Sequence, residues 1–244
     1  MRTIKLTIAY DGTNYAGWQV QSNGLAIQQV IEEALAKILC SPVRLYSSGR
    51  TDAGVHAEGM VAAFRTDREL PLSAFSDGLN SHLPLDIAIR EAEEAPLNFD
   101  PRRAAKGKHY RYTILNTHRR LPLSRLYSWH LKGALDLEAM REAARLMVGE
   151  KDFAAFRTSG CDARTTVRNI FSVEISREKE SILIDVKGSG FLRNMVRIMV
   201  GTLVEVGKGK IPLSSVPAFF TGKTGATAGM TAPAHGLCLV EVYY

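Results

Sequence analysis

Residues 47–57, Ser47-Ser48-Gly49-Arg50-Thr51-Asp52-Ala53-Gly54-Val55-His56-Ala57, form a polar stretch that is rich in small side chains. The stretch separates two apolar runs, residues 43–46 and 60–64, that have the composition of β-strands. Two glycines flank its single carboxylate, Asp52, and glycine lets the backbone turn tightly and lets a ligand approach closely. The stretch therefore predicts a loop that presents one acid at the end of a strand. An ordinary surface turn is the alternative, because Gly, Asp and Thr are common turn residues.

The periodicity of apolar residues around this loop predicts an α+β protein. Residues 2–10 alternate as a half-buried strand does, and residues 27–39 repeat apolar side chains at helical spacing. The other predicted elements are strands at 43–46, 60–64, 87–89, 109–115, 169–175, 181–186 and 236–244, and helices at 73–83, 137–148, 191–206 and 214–220, with Ser73 and Asp136 as N-caps. A strand–helix–strand–strand–helix order occurs in both halves, which predicts two α+β lobes whose sheets meet, with a cleft between them.

The boundary between the predicted lobes follows from a change in composition. Residues 97–106 become basic and show no apolar periodicity. We therefore predict an N-terminal lobe at 1–103, which carries the Asp52 loop, and a C-terminal lobe at 104–244.

Composition limits the class of protein. The 244 residues are 45% hydrophobic and 23% charged, which is typical of a soluble globular chain, and no apolar run is long enough to span a membrane. The three cysteines, Cys40, Cys161 and Cys238, are far apart and odd in number, so they predict reduced thiols and a cytoplasmic location. The net charge of +6 mildly favours an acidic partner such as RNA.

A basic segment after the predicted boundary is a second candidate site. Its cations are Arg102, Arg103, Lys106, Lys108, Arg111, His118, Arg119, Arg120 and Arg125. Tyr110 and Tyr112 lie among them, and in a strand both rings face the same way as Lys108. Cations bind phosphates and aromatic rings stack on unpaired bases, so the segment favours a nucleic-acid site. A solvated edge strand with tyrosines at the core margin is the alternative.

The helix predicted at 191–206 carries Arg193 and Arg197 four residues apart, on one face. A cation in the first turn opposes the helix dipole, so Arg193 needs another reason to be there, and a partner such as Asp52 would supply one. A pair of surface arginines is the alternative. The histidines show no metal-ligand spacing, and no second carboxylate lies close enough to Asp52 in sequence to form a glycosidase pair.

Several motifs resemble those of the TruA family of tRNA pseudouridine synthases. The loop at 49–57 is similar to the signature loop of that family. Further matches extend over nearly the whole chain: Tyr10-Asp11-Gly12-Thr13, Gly17-Trp18-Gln19, Lys108-His109-Tyr110-Arg111-Tyr112, residues 153–157, Gly190-Phe191-Leu192-Arg193-Asn194-Met195-Val196-Arg197 and Ala234-His235-Gly236-Leu237.

The resemblance implies the pseudouridine synthase fold, with a mostly antiparallel central sheet made by two pseudo-symmetric lobes, flanking helices and a basic cleft. It also implies a homodimer that uses no cofactor or metal. The implied reaction isomerises uridine to pseudouridine at nucleotides 38, 39 and 40, in the anticodon stem-loop of tRNA.

The same resemblance assigns roles to individual residues. Asp52 corresponds to the catalytic aspartate, Tyr110 to the contact with the substrate base, and Arg193 to the arginine that pairs with the aspartate. Whether Asp52 attacks C1′ of the ribose or removes a sugar proton stays open, as does the choice between stacking and general-base catalysis for Tyr110. Arg50, next to Asp52, is a candidate to fill the space left by a flipped base, with a phosphate contact as its alternative.

Two other functions are compatible with these residues. A non-catalytic tRNA-binding or chaperone module would explain the positive charge and the tyrosines, but not Asp52 between two glycines. Hydrolysis of an RNA glycosidic bond shares the attack at C1′ but releases free uracil, which isomerisation does not.

Overall fold

A computed structural model of the chain describes residues 1–158, 164–222 and 228–244. Within these ranges the chain forms two compact units: unit 1 comprises Met1–Lys106 together with Cys238–Tyr244, and unit 2 comprises Gly107–Leu237. Unit 1 is thus made of two segments, whereas each lobe predicted from the sequence, 1–103 and 104–244, is continuous. Cys161 lies outside the described residues.

The described ranges contain ten β-strands and three α-helices. The strands are β1 (Arg2–Tyr10), β2 (Tyr46–Ser47), β3 (His56–Thr66), β4 (Ile87–Ala95), β5 (Gly107–Asn116), β6 (Trp129–Leu131), β7 (Gly149–Asp152), β8 (Val167–Glu178), β9 (Ser181–Gly188) and β10 (Leu237–Tyr243). The helices are α1 (Ile27–Leu39), α2 (Leu137–Leu146) and α3 (Met195–Gly207). Short 3₁₀ segments join several of these elements.

Unit 1 is a mostly antiparallel sheet with one α-helix. Strand β1 lies between β3 and β4 and is antiparallel to both, whereas β10 pairs with β3 in parallel. Alternate residues of β1, Ile4, Leu6 and Ile8, are fully buried and form the centre of this core. The strands β2 and β3 enclose the Asp52 loop, so the loop leaves and re-enters the same sheet.

Unit 2 is an antiparallel sheet in the order β5-β9-β8-β7, with the short β6 in parallel with β5. Helix α2 packs on α3 and on β8. Eleven of the 13 residues of α3 are buried, so α3 is a core helix rather than a surface helix. Antiparallel sheets with segregated helices in both units confirm the predicted α+β class.

Most predicted elements are confirmed, and the differences have local causes. Helix α3 begins at Met195 rather than at 191, because Asn194 has a left-handed backbone (φ 60°) that a helix cannot continue through. The predicted cap at Ser73 is wrong: Ser73 already has helical dihedrals and makes no capping hydrogen bond. The predicted cap at Asp136 is confirmed, since its carboxylate accepts from the N–H groups of Glu138 and Ala139. Strands β6 and β7 were not predicted, because three and four residues are too few to show a period.

Candidate active site

The Asp52 loop of unit 1 is closed by hydrogen bonds at both ends. Ser48 N donates to Val61 O of β3 (2.8 Å), so the first part of the loop is hydrogen-bonded to the sheet. Val55 N donates to Asp52 O (3.2 Å) across a turn that contains Gly54 at φ 76°. The side chain of Asp52 is half-buried, so the loop presents its carboxylate at the protein surface without leaving it fully solvated.

Residues 10–18 support this loop from one side. Trp18 N donates to Thr51 O (3.1 Å), and the hydroxyls of Tyr10 and Thr51 share a 2.8 Å hydrogen bond. Gly17 has φ 99°, and a Cβ there would lie only 2.6 Å from Thr51 O. The residue that precedes Asp52 is therefore fixed through its carbonyl and its hydroxyl, and only glycine fits opposite it.

A second contact joins the Tyr10–Thr13 motif to the end of the same loop. Gly12 N donates to Nδ1 of the buried His56 (3.1 Å), and a Cβ on Gly12 would collide with Val55 O. The same nitrogen lies 3.1 Å from Oδ1 of Asp11, which belongs to the same motif. Three separate motifs of the sequence are thus one packed structure around Asp52.

Arg50 lies on the exposed side of the loop, two residues before Asp52. Its guanidinium is open to solvent, as either predicted role, filling a gap in RNA or contacting a phosphate, requires.

In unit 2, Tyr110 lies on β5 opposite Val186 of β9 and is only 8% exposed. Its ring contacts Phe191 edge to face, with ring centres 5.2 Å apart and an interplanar angle of 86°. Phe191 belongs to the segment just before α3, so two more of the sequence motifs meet at Tyr110.

Tyr112 was grouped with Tyr110 as a base-stacking residue, and the structure overturns that interpretation. Tyr112 is fully buried and its hydroxyl donates to Pro233 O (2.8 Å). Burial raises the pKa of Tyr112 above its ordinary value. A Cβ on Gly236 would lie 2.5 Å from the tyrosine ring, which explains why glycine stands in the Ala234–Leu237 motif. Tyr112 is therefore a core residue.

Arg193 and Arg197 have different environments. Arg193 is exposed and lies in the turn before α3, so the helix-dipole argument for a partner does not apply to it. Arg197 is half-buried; its Nε donates to Ala232 O (2.7 Å) and its Nη1 to Asn194 Oδ1 (2.8 Å). Its positive charge also lowers the pKa of Tyr112, against the larger effect of burial. Of the two guanidinium groups, only that of Arg197 is fixed by the fold of unit 2.

The basic segment divides between structural and exposed cations. Arg111 makes a bidentate ion pair with Asp185 (2.9 and 3.2 Å), and His109 Nε2 lies 2.6 Å from the same carboxylate. These side chains lie on the strand face opposite Tyr110. Arg111 is itself exposed, and the other exposed cations of the segment are Arg102, Arg103, Lys106, His118, Arg119, Arg120 and Arg125.

Two negative findings apply to residues 1–158, 164–222 and 228–244. No group of three or more metal-ligating side chains comes together there. No helix in these ranges has the length and apolar content to cross a bilayer.

With this geometry in hand, comparison with known proteins identifies the family. The family model described as tRNA pseudouridine synthase matches residues 6–102 and 143–244. This chain belongs to the tRNA pseudouridine synthase family. The prediction made from the motifs is thereby confirmed.

Curated relatives match over the full length of the chain. The chain is 65% identical to the tRNA pseudouridine synthase A of Geotalea uraniireducens (strain Rf4) and 64% identical to that of Geobacter sulfurreducens, each over 100% of both chains. It is 47% identical to that of Myxococcus xanthus, over 100% of this chain and 92% of the other. Arg50, Asp52 and Arg193 lie within the family match, whereas Tyr110 lies between its two parts and is covered by the full-length relatives.

Proposed function

We propose that this chain is an enzyme that isomerises uridine to pseudouridine in tRNA. In that reaction the N1–C1′ bond breaks, the uracil turns and C5 bonds to C1′. The proton leaves C5 and N1 gains one, so substrate and product have the same composition. Membership of the family supports the proposal, and so does the single acid that the chain presents on a tightly supported loop.

Asp52 is the proposed catalytic residue. An ionised carboxylate near C1′ can attack that carbon, stabilise positive charge on it or remove a sugar proton. Each role requires the oxygen atoms to be held in place before the substrate arrives. The bonds from Trp18 and Tyr10 to Thr51 supply that rigidity through the backbone next to Asp52.

The proposed substrate is the anticodon stem-loop, with nucleotides 38, 39 and 40 as targets. A nucleotide in or beside a stem must be flipped out for C1′ and C5 to be reached, which costs a few kcal/mol. Tyr110 is proposed to contact the flipped uracil, with its ring supported by Phe191. Arg50 is proposed to fill the vacated space in the RNA, because it is exposed beside the catalytic loop.

A cation next to Asp52 would keep the carboxylate ionised when the substrate excludes water. The sequence assigns this role to Arg193. Arg197 has the physical properties that the role requires, a half-buried and hydrogen-bonded guanidinium, so we propose that one of these two arginines acts on Asp52.

We further propose that the protein is a cytoplasmic homodimer. The family resemblance implies the dimer, and the odd number and wide spacing of the three cysteines favour a reducing compartment. Sedimentation of the purified chain at micromolar concentration tests the dimer.

Nucleoside chromatography after incubation with unmodified tRNA tests the function. Pseudouridine with no free uracil supports isomerisation. Free uracil would identify a glycoside hydrolase, and unchanged uridine in tRNA that the protein binds would identify a non-catalytic binding module.

A further inference from the structure

The segment between β5 and β6 of unit 2, residues 117–128, is a basic loop whose three arginines are exposed. Because β6 pairs with β5 in parallel, Ile114 opposite Trp129, the chain must leave the end of β5 and come back before it pairs again. The loop therefore extends from the end of strand β5 in unit 2.

The charge of this loop is not balanced within it. No Asp or Glu occurs from residue 101 to residue 135. Arg119, Arg120 and Arg125 are exposed, and none of the ion pairs in the described ranges involves them. Glu180 lies nearby, since its carbonyl accepts from Asn116 N, but its carboxylate forms no ion pair with these three arginines.

The base and the tip of the loop are pinned by internal hydrogen bonds. His130 Nε2 donates to Thr117 O (2.8 Å), and Ser128 Oγ donates to Ser124 O (2.8 Å). The tip is a 3₁₀ turn at Pro122–Ser124. A loop that is already folded loses less conformational entropy on binding than a mobile one.

We propose that the basic loop is a second contact surface for tRNA, which binds backbone phosphates outside the nucleotide that reacts. The inference rests on the proposed function in taking tRNA as the ligand. Three exposed guanidinium groups without carboxylate partners match phosphates. Tyr127, which is 50% exposed, adds an aromatic ring of the kind that stacks on bases.

A second copy of this chain is the less favourable occupant. Leu123 is 92% exposed at the tip, which by itself would suit a protein contact. A symmetric contact through this loop would, however, bring two sets of three arginines together, and like charges across an interface are repulsive. Leu121, which is 39% exposed, is the other exposed leucine of the tip, and exposed apolar side chains in such small numbers are common on protein surfaces.

The salt dependence of tRNA binding tests this proposal. In the variant Arg119→Gln/Arg120→Gln/Arg125→Gln we expect weaker binding of an unmodified tRNA transcript. The slope of log K against log salt concentration should become shallower by about 2 to 3, because each lost phosphate contact removes about 0.7–0.9 from it. The matching Arg→Lys variant should keep the wild-type slope, since it keeps the charge.

A charge-matched control separates this loop from the general positive charge. Lys37, Arg65 and Lys210 are exposed elsewhere on the chain, and their triple Gln variant should change the slope by less than one. The proposal would be overturned if the salt slope changed equally in the loop variant and the control variant, or if it did not change in the loop variant. A loop variant that becomes monomeric while the wild type is a dimer would also overturn it, because the loop would then be a protein interface.

The binding experiment tests the loop separately from the proposed catalytic function. Wild-type protein that binds tRNA through the loop but forms no pseudouridine would contradict the proposed function and support the surface. Pseudouridine formation by the wild type, together with an unchanged salt slope in the loop variant, would support the proposed function and contradict the loop as a tRNA-binding surface.

Discussion

At the scale of single residues, the backbone of Thr51 determines where Asp52 lies. Its carbonyl accepts from Trp18 N and its hydroxyl bonds with Tyr10, so the peptide that leads into Asp52 is held at two points. Gly17 approaches the same carbonyl more closely than any other residue type would allow. The glycine of the Gly17-Trp18-Gln19 motif therefore helps to fix the backbone of the Asp52 loop.

Gly17→Ala should lower both stability and activity. The new Cβ would lie 2.6 Å from Thr51 O and force the loop to shift, while φ 99° also strains an alanine. We expect a loss of unfolding free energy of about 1–3 kcal/mol and at least a tenfold lower single-turnover rate, because small displacements of a catalytic group are costly.

Gly149→Ala is the matched control for this prediction. Gly149 has nearly the same dihedral, φ 98°, but a Cβ there meets nothing within 4 Å. Gly149→Ala should lose the part of the unfolding free energy that comes from strain at positive φ. Its single-turnover rate should equal that of the wild type. Equal rates in both alanine variants would show that Gly17 does not position Asp52.

Asp52→Asn should abolish pseudouridine formation and leave tRNA binding nearly unchanged. The amide keeps the shape of the side chain but cannot carry the negative charge that each proposed role needs. Tritium release from C5-labelled uridine measures turnover, and filter binding of the same tRNA measures affinity. Full turnover in the Asn variant would remove Asp52 from the chemistry.

Lysine substitutions should distinguish Arg197 from Arg193. We expect the larger loss of single-turnover rate from Arg197→Lys, because a lysine cannot reproduce the two directed bonds to Ala232 O and Asn194 Oδ1. Arg193→Lys keeps an exposed charge and should be milder. The comparison is made at saturating tRNA on variants whose circular dichroism matches the wild type. The opposite order would support the pairing of Arg193 with Asp52 that the sequence predicts.

At the scale of elements, the N-termini of helices α2 and α3 show two ways in which a helix begins. Helix α2 has a side-chain cap, Asp136, which satisfies two of its first N–H groups at 3.0 Å. Helix α3 begins after the left-handed Asn194, whose side chain bonds with Arg197 and Thr158 instead of capping the helix. The first kind of start is visible in the sequence, and the second depends on contacts with distant residues.

Asp136→Ala should destabilise the protein by about 1 kcal/mol, since two N–H groups lose their acceptor. Asp136→Asn should recover most of the loss, because an asparagine oxygen caps a helix as well as aspartate does. Urea unfolding followed by circular dichroism at 222 nm measures both. An Asn variant as unstable as the Ala variant would mean that charge, and not the cap, provides the stabilisation.

At the scale of the whole molecule, three buried or half-buried tyrosines link the free energy of unfolding to alkaline pH. Burial is the main cause that raises the pKa of Tyr15, Tyr112 and Tyr244 above the ordinary value of about 10. The hydrogen bond to Asp86 raises that of Tyr15 further. In the unfolded chain these phenols lose their protons near pH 10, whereas in the folded chain they keep them.

The contribution of these tyrosines to the unfolding free energy should therefore be constant below pH 9 and should fall above about pH 10. The unfolded state binds fewer protons there, and each phenol contributes up to about 1.4 kcal/mol per pH unit. Urea unfolding between pH 8 and 11.5 measures the decline. Tyr112→Phe, which removes one titrating group and its bond to Pro233 O, should be less stable at pH 8 but show a shallower decline. If the unfolding free energy of that variant declined with pH as steeply as that of the wild type, Tyr112 would not contribute to the pH dependence.

The sequence predicted local structure well where the determinant is local. The glycines around Asp52 and the alternation in β1 are local signals, and the structure confirms the loop and the strand. Tyr112 was misinterpreted because alternation places it on the same face as Tyr110 but does not reveal depth, and depth is set by Pro233 and Gly236, which lie more than 120 residues away. The ion pair of Arg111 was also not predictable, since its partner is Asp185 on a neighbouring strand.

The sequence by itself determined the α+β class, the order of the main helices and strands, the family and the loop that carries Asp52, because periodicity, turn residues and motifs are properties of neighbouring residues. Only the tertiary structure decided how deeply each motif residue is buried and which side chains are fixed by hydrogen bonds. That distinction separated the core residue Tyr112 from Tyr110, and the bonded Arg197 from the exposed Arg193. The physical reason is that burial and hydrogen bonding depend on contacts between segments far apart in the chain, and these form only when the sheet and its helices are packed.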